Sequence, residues 1–213
     1  MKHNDAEISP LARRPRLMMC LAALTVAFTV SQPRPAHADD ATPPPVPPNI
    51  QVPAGNKAFL EGDAIGTQDY ICLPSGSSFA WTFFGPQATL FNDHDKQIIT
   101  HFLSPNPFER GTPRVTWQDS EDTSTVWAVV IAQSSDPAFV QPGAIPWFLL
   151  KVVGAQDGPT GGHKLSETTF IQRLNTSGGV APATGCTLPT DVGKIALVPY
   201  TAGYFFYKAI KNK

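Results

Sequence analysis

From residue 57 onward the chain never carries an apolar run far before Gly, Pro, Asn or Asp interrupts it, and the breaks recur roughly every ten residues. Such spacing accommodates β-strands and their turns, whereas no segment repeats its apolar residues at helical intervals over several turns. The candidate strands are residues 57–60, 66–73, 79–84, 89–91, 97–102, 114–118, 125–132, 147–153, 168–175, 194–198 and 204–208. Residues 126–131 and 147–150 are continuously apolar, as strands covered on both faces should be. In 168–175, Phe170, Gln172 and Leu174 share one face and Ile171 and Arg173 the other, so that strand is expected to be only partly buried. The pattern predicts an all-β fold, a single-domain β-sandwich or a jelly-roll-like barrel, with no internal repeat.

The chain opens on a polar leader in which Arg13, Arg14 and Arg16 stand just before an apolar run over 17–30. Ala36-His37-Ala38 then offers the small-x-small pattern that signal peptidases cut. The run is shorter than the ~20 residues of a membrane-spanning helix. Residues 1–38 are therefore expected to be a signal peptide cleaved after Ala38, with no membrane span remaining afterwards and a secreted or periplasmic destination. Arg13-Arg14 suits a twin-arginine signal, but Pro15 and Arg16 follow where that signal favours a polar residue and then Phe or Leu. Beyond the cut, Pro43-Pro44-Pro45-Val46-Pro47-Pro48 lacks ladder donors and favours polyproline II. Residues 39–53 are thus expected to be a Pro-rich linker ahead of a β-domain over 54–213.

Processing would remove five of the sixteen basic and two of the seventeen acidic residues, leaving 11 against 15 and a formal charge of −4. A mildly acidic chain with no basic stripe is not built to release counterions from nucleic acid, so no nucleic-acid partner is expected. Cys20 would leave with the signal, and the remaining Cys72 and Cys186 form an even pair in an oxidising compartment. They are expected to be bridged, closing a loop that the chain-entropy account values at about 4 to 5 kcal/mol. A thiolate metal site would need further soft ligands, and neither Cys has a Cys or His at finger-like spacing.

Several side chains are candidates for a site. Gln68, Tyr70 and Cys72 lie at i, i+2 and i+4 and should share one face, turned inward with the half-cystine. Asn92-Asp93-His94-Asp95 followed by His101 is the densest cluster of metal-capable groups, with His94 and His101 as candidate ligands, although Asn-Asp-x-Asp is also ordinary turn chemistry. A hydrolase would recruit His101 or His163 as base, oriented by Asp119 or Asp157, with a Ser such as Ser166 as nucleophile. Of the four tryptophans, Trp127 and Trp147 sit in the most apolar runs and are assigned to the interior. Trp117, flanked by Thr116 and Gln118 and followed by the acidic 119–122 loop, is the candidate for a binding face. No motif implies a cofactor, and none is expected.

Several stretches together resemble a family of secreted bacterial and fungal proteins catalogued as a domain of unknown function. They are Gly66-Thr67-Gln68-Asp69-Tyr70-Ile71-Cys72, Thr100-His101-Phe102, Thr116-Trp117-Gln118 with Asp119, and Ile171-Gln172-Arg173-Leu174-Asn175-Thr176-Ser177-Gly178-Gly179. Ala181-Pro182 leading to Cys186, and Val198-Pro199-Tyr200-Thr201-Ala202-Gly203-Tyr204-Phe205-Phe206-Tyr207, complete the likeness. The resemblance implies a signal peptide, a β-rich extracytoplasmic domain and two paired cysteines, and it carries no catalytic residues. The expected function is that of a secreted or periplasmic domain binding an extracytoplasmic ligand, a glycan or a protein, through Gln68, Tyr70, His101, Trp117, Asp119 and Arg173. The alternatives are an extracytoplasmic hydrolase with its site near His101, Trp117 and Asp119, and a metal-binding protein using His94 and His101. A pocket gathering Gln68, Tyr70, His101 and Arg173 would favour catalysis, and an exposed aromatic ledge without ionisable neighbours would favour binding.

Overall fold

In the computed structural model, which describes residues 41–211, the eleven candidate runs resolve into eight strands. The signal peptide and its cleavage point after Ala38 lie outside the described residues. Three pairs of runs fuse: β1 (Asn56–Ser75) crosses Glu61-Gly62-Asp63, β2 (Ser78–Phe91) crosses Gly85-Pro86, and β8 (Ile195–Ala209) crosses Pro199 and Gly203. The others are β3 (Gln97–Asn106), β4 (Thr112–Asp119), β5 (Thr125–Ser134), β6 (Trp147–Gln156) and β7 (Thr168–Gly178).

Each strand pairs antiparallel with the next, and β1 returns to β8 from Asn56↔Ala209 to Ile71↔Ile195, so the sheet closes into a barrel. Of the two architectures expected, the chain takes the barrel. Its strands follow chain order without a Greek-key crossover, which makes it an up-and-down barrel rather than a jelly roll or a two-sheet sandwich. Closure requires strands to bend and crowd, and glycine permits this on β1. A Cβ on Gly66 would stand 2.1 Å from the Gln87 carbonyl oxygen, so any larger residue would push β1 and β2 apart.

One end of the barrel is filled. Leu90, Ile99, Val126, Ile171 and Phe206 point inward from five strands, and Leu165 enters from the β6–β7 connection; all are fully buried. That connection is clasped to the β4–β5 turn. Asp122 accepts from Lys164 N at 2.8 Å and from Ser124 Oγ at 2.6 Å, while Ser124 Oγ in turn accepts from Leu165 N at 3.0 Å. The β1–β2, β3–β4, β5–β6 and β7–β8 connections gather at the opposite end.

The Pro-rich segment lies on the outside of the wall. Pro47 and Ile50 are buried, and Ile50 joins Trp147, Leu149, Leu174, Phe205 and Tyr207 in a second core on the outer face of β6, β7 and β8. Gln172 donates through Nε2 to Ile50 O at 2.7 Å and accepts from the Tyr207 hydroxyl. This corrects the expectation for β7. Both of its faces are covered, because a segment remote in sequence roofs the face that carries Gln172.

Candidate functional site

The open end holds a cavity of about 370 Å³ to which every strand contributes a side chain. Strand alternation explains the selection. Gln68 and Tyr70 on β1, His101 on β3, Trp117 on β4, Phe148 and Leu150 on β6, Arg173 on β7 and Tyr204 on β8 all lie on inward-facing positions. A register shift in the β1–β2 ladder at Asp69/Tyr70 leaves Phe84 without a partner and sets Phe83 opposite Tyr70, so that Phe83 also faces the cavity. At the rim, Phe83 is 47% and Val130 44% exposed, which marks where the cavity meets solvent.

The polar groups are positioned individually. Tyr70 donates its hydroxyl to Gly179 O at 2.7 Å, a contact that needs Gly178 and Gly179 in left-handed conformation (φ 66° and 79°) after a register shift in the β7–β8 ladder. His101 stacks on Trp117 with ring centroids 4.2 Å apart, and its Nδ1 lies 2.8 Å from Thr116 O. A carbonyl only accepts, so Nδ1 carries the proton and Nε2 is the acceptor of a neutral imidazole. Burial lowers the His101 pKa to about 3, reinforced by the nearby Arg173 charge. Burial likewise raises the Tyr70 and Tyr204 pKa values.

Arg173 is 7% exposed. Its Nη2 donates to Pro146 O at 2.9 Å, and its guanidinium carbon sits 3.8 Å over the Phe148 ring. Its Nε has no hydrogen-bond partner, and neither do Gln68 Nε2 and Trp117 Nε1. Buried donors are nearly always satisfied, so three orphans lining one cavity stand out.

The structure brings together five of the six candidate binding residues: Gln68, Tyr70, His101, Trp117 and Arg173. Asp119 does not line the cavity. Its Oδ1 accepts from Glu121 N and Asp122 N, both at 2.9 Å, and its Oδ2 faces Lys164 Nζ at 3.1 Å, so its carboxylate organises the filled end. The hydrolase grouping of His101, Trp117 and Asp119 is thereby broken. The cavity does gather the four residues whose meeting would favour catalysis, yet its lining contains no Ser, Cys, Asp or Glu. An imidazole held neutral to about pH 3 is also a poor base near neutrality.

The metal pair separates too. His94 is exposed in the β2–β3 turn, where Asn92 Oδ1 accepts from His94 N and Lys96 N, whereas His101 is inside the barrel. No group of three or more metal-capable side chains occurs among the described residues. Trp117 is 1% exposed, inside the cavity rather than on an outer face. Trp127 and Trp147 are buried as expected, but against the outside of the wall, where Trp127 donates to Ser104 Oγ at 2.9 Å and Trp147 packs in the second core. Sequence reasoning missed Phe83, Phe148, Leu150 and Tyr204. Phe148 and Leu150 stand two residues apart in a continuously apolar run, which does not declare which of its faces is hollow.

Cys72 and Cys186 form a disulfide with Cα atoms 5.5 Å apart. Among the described residues, no helix is long and apolar enough to cross a membrane. A family model described as a protein of unknown function (DUF3455) matches residues 53–208. No curated protein and no solved structure matches the chain.

Proposed function

The chain belongs to the DUF3455 family of proteins of unknown function, and from the chamber its barrel builds we propose that it is an exported binding protein that takes a small, largely apolar molecule into the open end. The observation that carries this reading is the cavity of about 370 Å³, mostly apolar in its lining and edged with a few fixed polar groups. Ligand pockets have that composition, and the interior of an eight-stranded barrel is wide enough for one small ligand when it is not filled by side chains. Trp117 lies too deep to stack on a polymeric glycan at the surface, which favours a compact ligand over a polysaccharide. Export is supported by the arginine-led apolar leader, by Ala36-His37-Ala38 and by the disulfide, which needs an oxidising compartment to persist. The segment division that follows is a signal peptide over 1–38 and a β-domain over 54–213, with residues 39–53 between them.

Titration with N-phenyl-1-naphthylamine, a neutral fluorescent aromatic, tests the reading. One saturable site is expected, with energy transfer from Trp117, and Val130→Trp at the rim should abolish it while leaving the melting temperature nearly unchanged. Absence of saturable binding, or binding indifferent to Val130→Trp, would defeat the proposal. Protein recovered from the exporting host for this titration should begin at Asp39.

A further inference from the structure

Resting on that binding reading, we propose that the ligand presents an anionic oxygen group, a carboxylate or sulfonate, to Arg173 and carries an apolar ring system against the remaining wall. Three other cations that are only partly exposed or anchored near a carboxylate show the usual arrangement. Arg114 makes a two-pronged contact with Glu109 at 2.8 Å on both arms, Lys164 faces Asp119 and Lys194 faces Asp191 at 2.7 Å. Arg173, more buried than any of these, forms no ion pair among the described residues, and no carboxylate lines its cavity. A carbonyl and the face of Phe148 hold the guanidinium in place without neutralising it. A buried cation lacking a counterion is costly unless something else supplies the charge.

The remaining chemistry of the chamber has the same sign. The three orphaned atoms, Arg173 Nε, Gln68 Nε2 and Trp117 Nε1, are all donors. The residues best placed to compete as acceptors are engaged or neutral. The Tyr70 hydroxyl is donated to Gly179 O, and His101 is an uncharged ring stacked on Trp117. Its acceptors, among them His101 Nε2 and the Tyr204 hydroxyl, are all uncharged, so the cavity lacks a strong acceptor and a negative charge. An oxyanion supplies both, and its two or three oxygens can serve more than one donor. The apolar part of the ligand would then lie against Phe83, Phe148 and Leu150, toward the opening marked by Val130.

A matched pair of probes isolates the charge. 8-Anilinonaphthalene-1-sulfonate is N-phenyl-1-naphthylamine with one added sulfonate, so their affinity ratio reports that group alone. The wild-type protein is expected to bind the sulfonate at least about tenfold more tightly. Arg173→Met should abolish that preference, and Arg173→Lys should retain part of it. Equal affinities in the wild type, or a preference that survives Arg173→Met or the rim-blocking Val130→Trp, overturn the inference. If Arg173→Met does not fold, the wild-type ratio together with Arg173→Lys decides. Failure of the neutral probe to bind at all counts instead against the binding reading, so the two can fail separately.

Discussion

Polar side chains pointing into an otherwise apolar barrel distinguish the open-end cavity at the scale of single residues, and His101 is the one whose state can be read by titration. Its folded pKa, lowered to about 3 by burial, lies well below the ordinary value of 6.5. The unfolded chain therefore takes up a proton that the folded chain refuses. The associated stability is complete above pH 6.5 and is lost as pH falls toward 3. Between pH 7 and pH 5 the loss should reach about 2 kcal/mol. Glu109 and Asp191, whose carboxyls are held down to about 2 by Arg114 and Lys194 respectively, contribute to acid sensitivity only below their ordinary values of 4.5 and 3.8, outside that window. Urea unfolding at pH 7 and pH 5 checks this. His101→Asn, which keeps a donor for Thr116 O, should flatten the difference, and an undiminished pH 7-to-5 drop in that variant would place the titrating group elsewhere. Gln68, Tyr70, His101, Trp117 and Arg173, which the structure gathers at one cavity, were legible as candidates because each is a polar or amphipathic group in a strand-like run. Asp119 was misread for a physical reason: a carboxylate next to a strand end is as useful for capping its own turn as for chemistry, and local sequence does not distinguish the two.

At the scale of elements, the strand boundaries show what local composition hides. Gly85-Pro86 and Pro199 interrupt apolar runs and read as turns, yet the structure carries β2 and β8 straight through them. Pro86 is paired with Gln68 of β1 but lies beyond the β2–β3 ladder, which begins only at Ala88↔His101, so its missing N–H deprives no β3 carbonyl. The Pro-rich segment shows the converse. Its composition marks an extended chain without a ladder, and only the fold reveals that it covers the hydrophobic outer faces of β6 to β8 through Ile50. Removing that side chain should therefore weaken the barrel itself. Ile50→Ala is expected to cost about 2 to 4 kcal/mol in chemical denaturation, the range for a fully buried aliphatic residue, whereas Gln51→Ala on the exposed side should stay within about 0.5 kcal/mol. Equal and small effects at both positions would mean that the segment lies on the wall without stabilising it.

For the whole molecule, closure and the disulfide divide the stability between two dissimilar ends. The strand pattern left sandwich and barrel both open, because pairing β1 with β8 joins segments more than a hundred residues apart and depends on a register that no local pattern encodes. The disulfide was legible from the count of cysteines, and the structure shows what it fastens. The Cys72 backbone donates to Lys194 O and accepts from Gly193 N, both at 2.9 Å, while Trp81 Nε1 donates to Thr184 O at 2.9 Å. The bridge thus straps residues 180–194 to the β1–β2 arm at the open end, adjoining the Gly179 carbonyl that holds Tyr70. The filled end has its own fastening in Asp119, Asp122, Ser124 and Lys164, with no covalent link. Replacing both cysteines with serine should lower global stability by roughly 3 to 5 kcal/mol through the freed unfolded chain. Local opening should be uneven on top of that loss. Amide exchange is expected to accelerate first over 71–84 and 180–194, whereas Leu165 and Val126 should exchange only with global unfolding. Affinity for the neutral probe should fall with it, because Tyr70 loses its anchored partner. Uniform acceleration around the barrel, with probe binding intact, would show that the bridge acts only on the unfolded chain and leaves the mouth of the cavity indifferent to it.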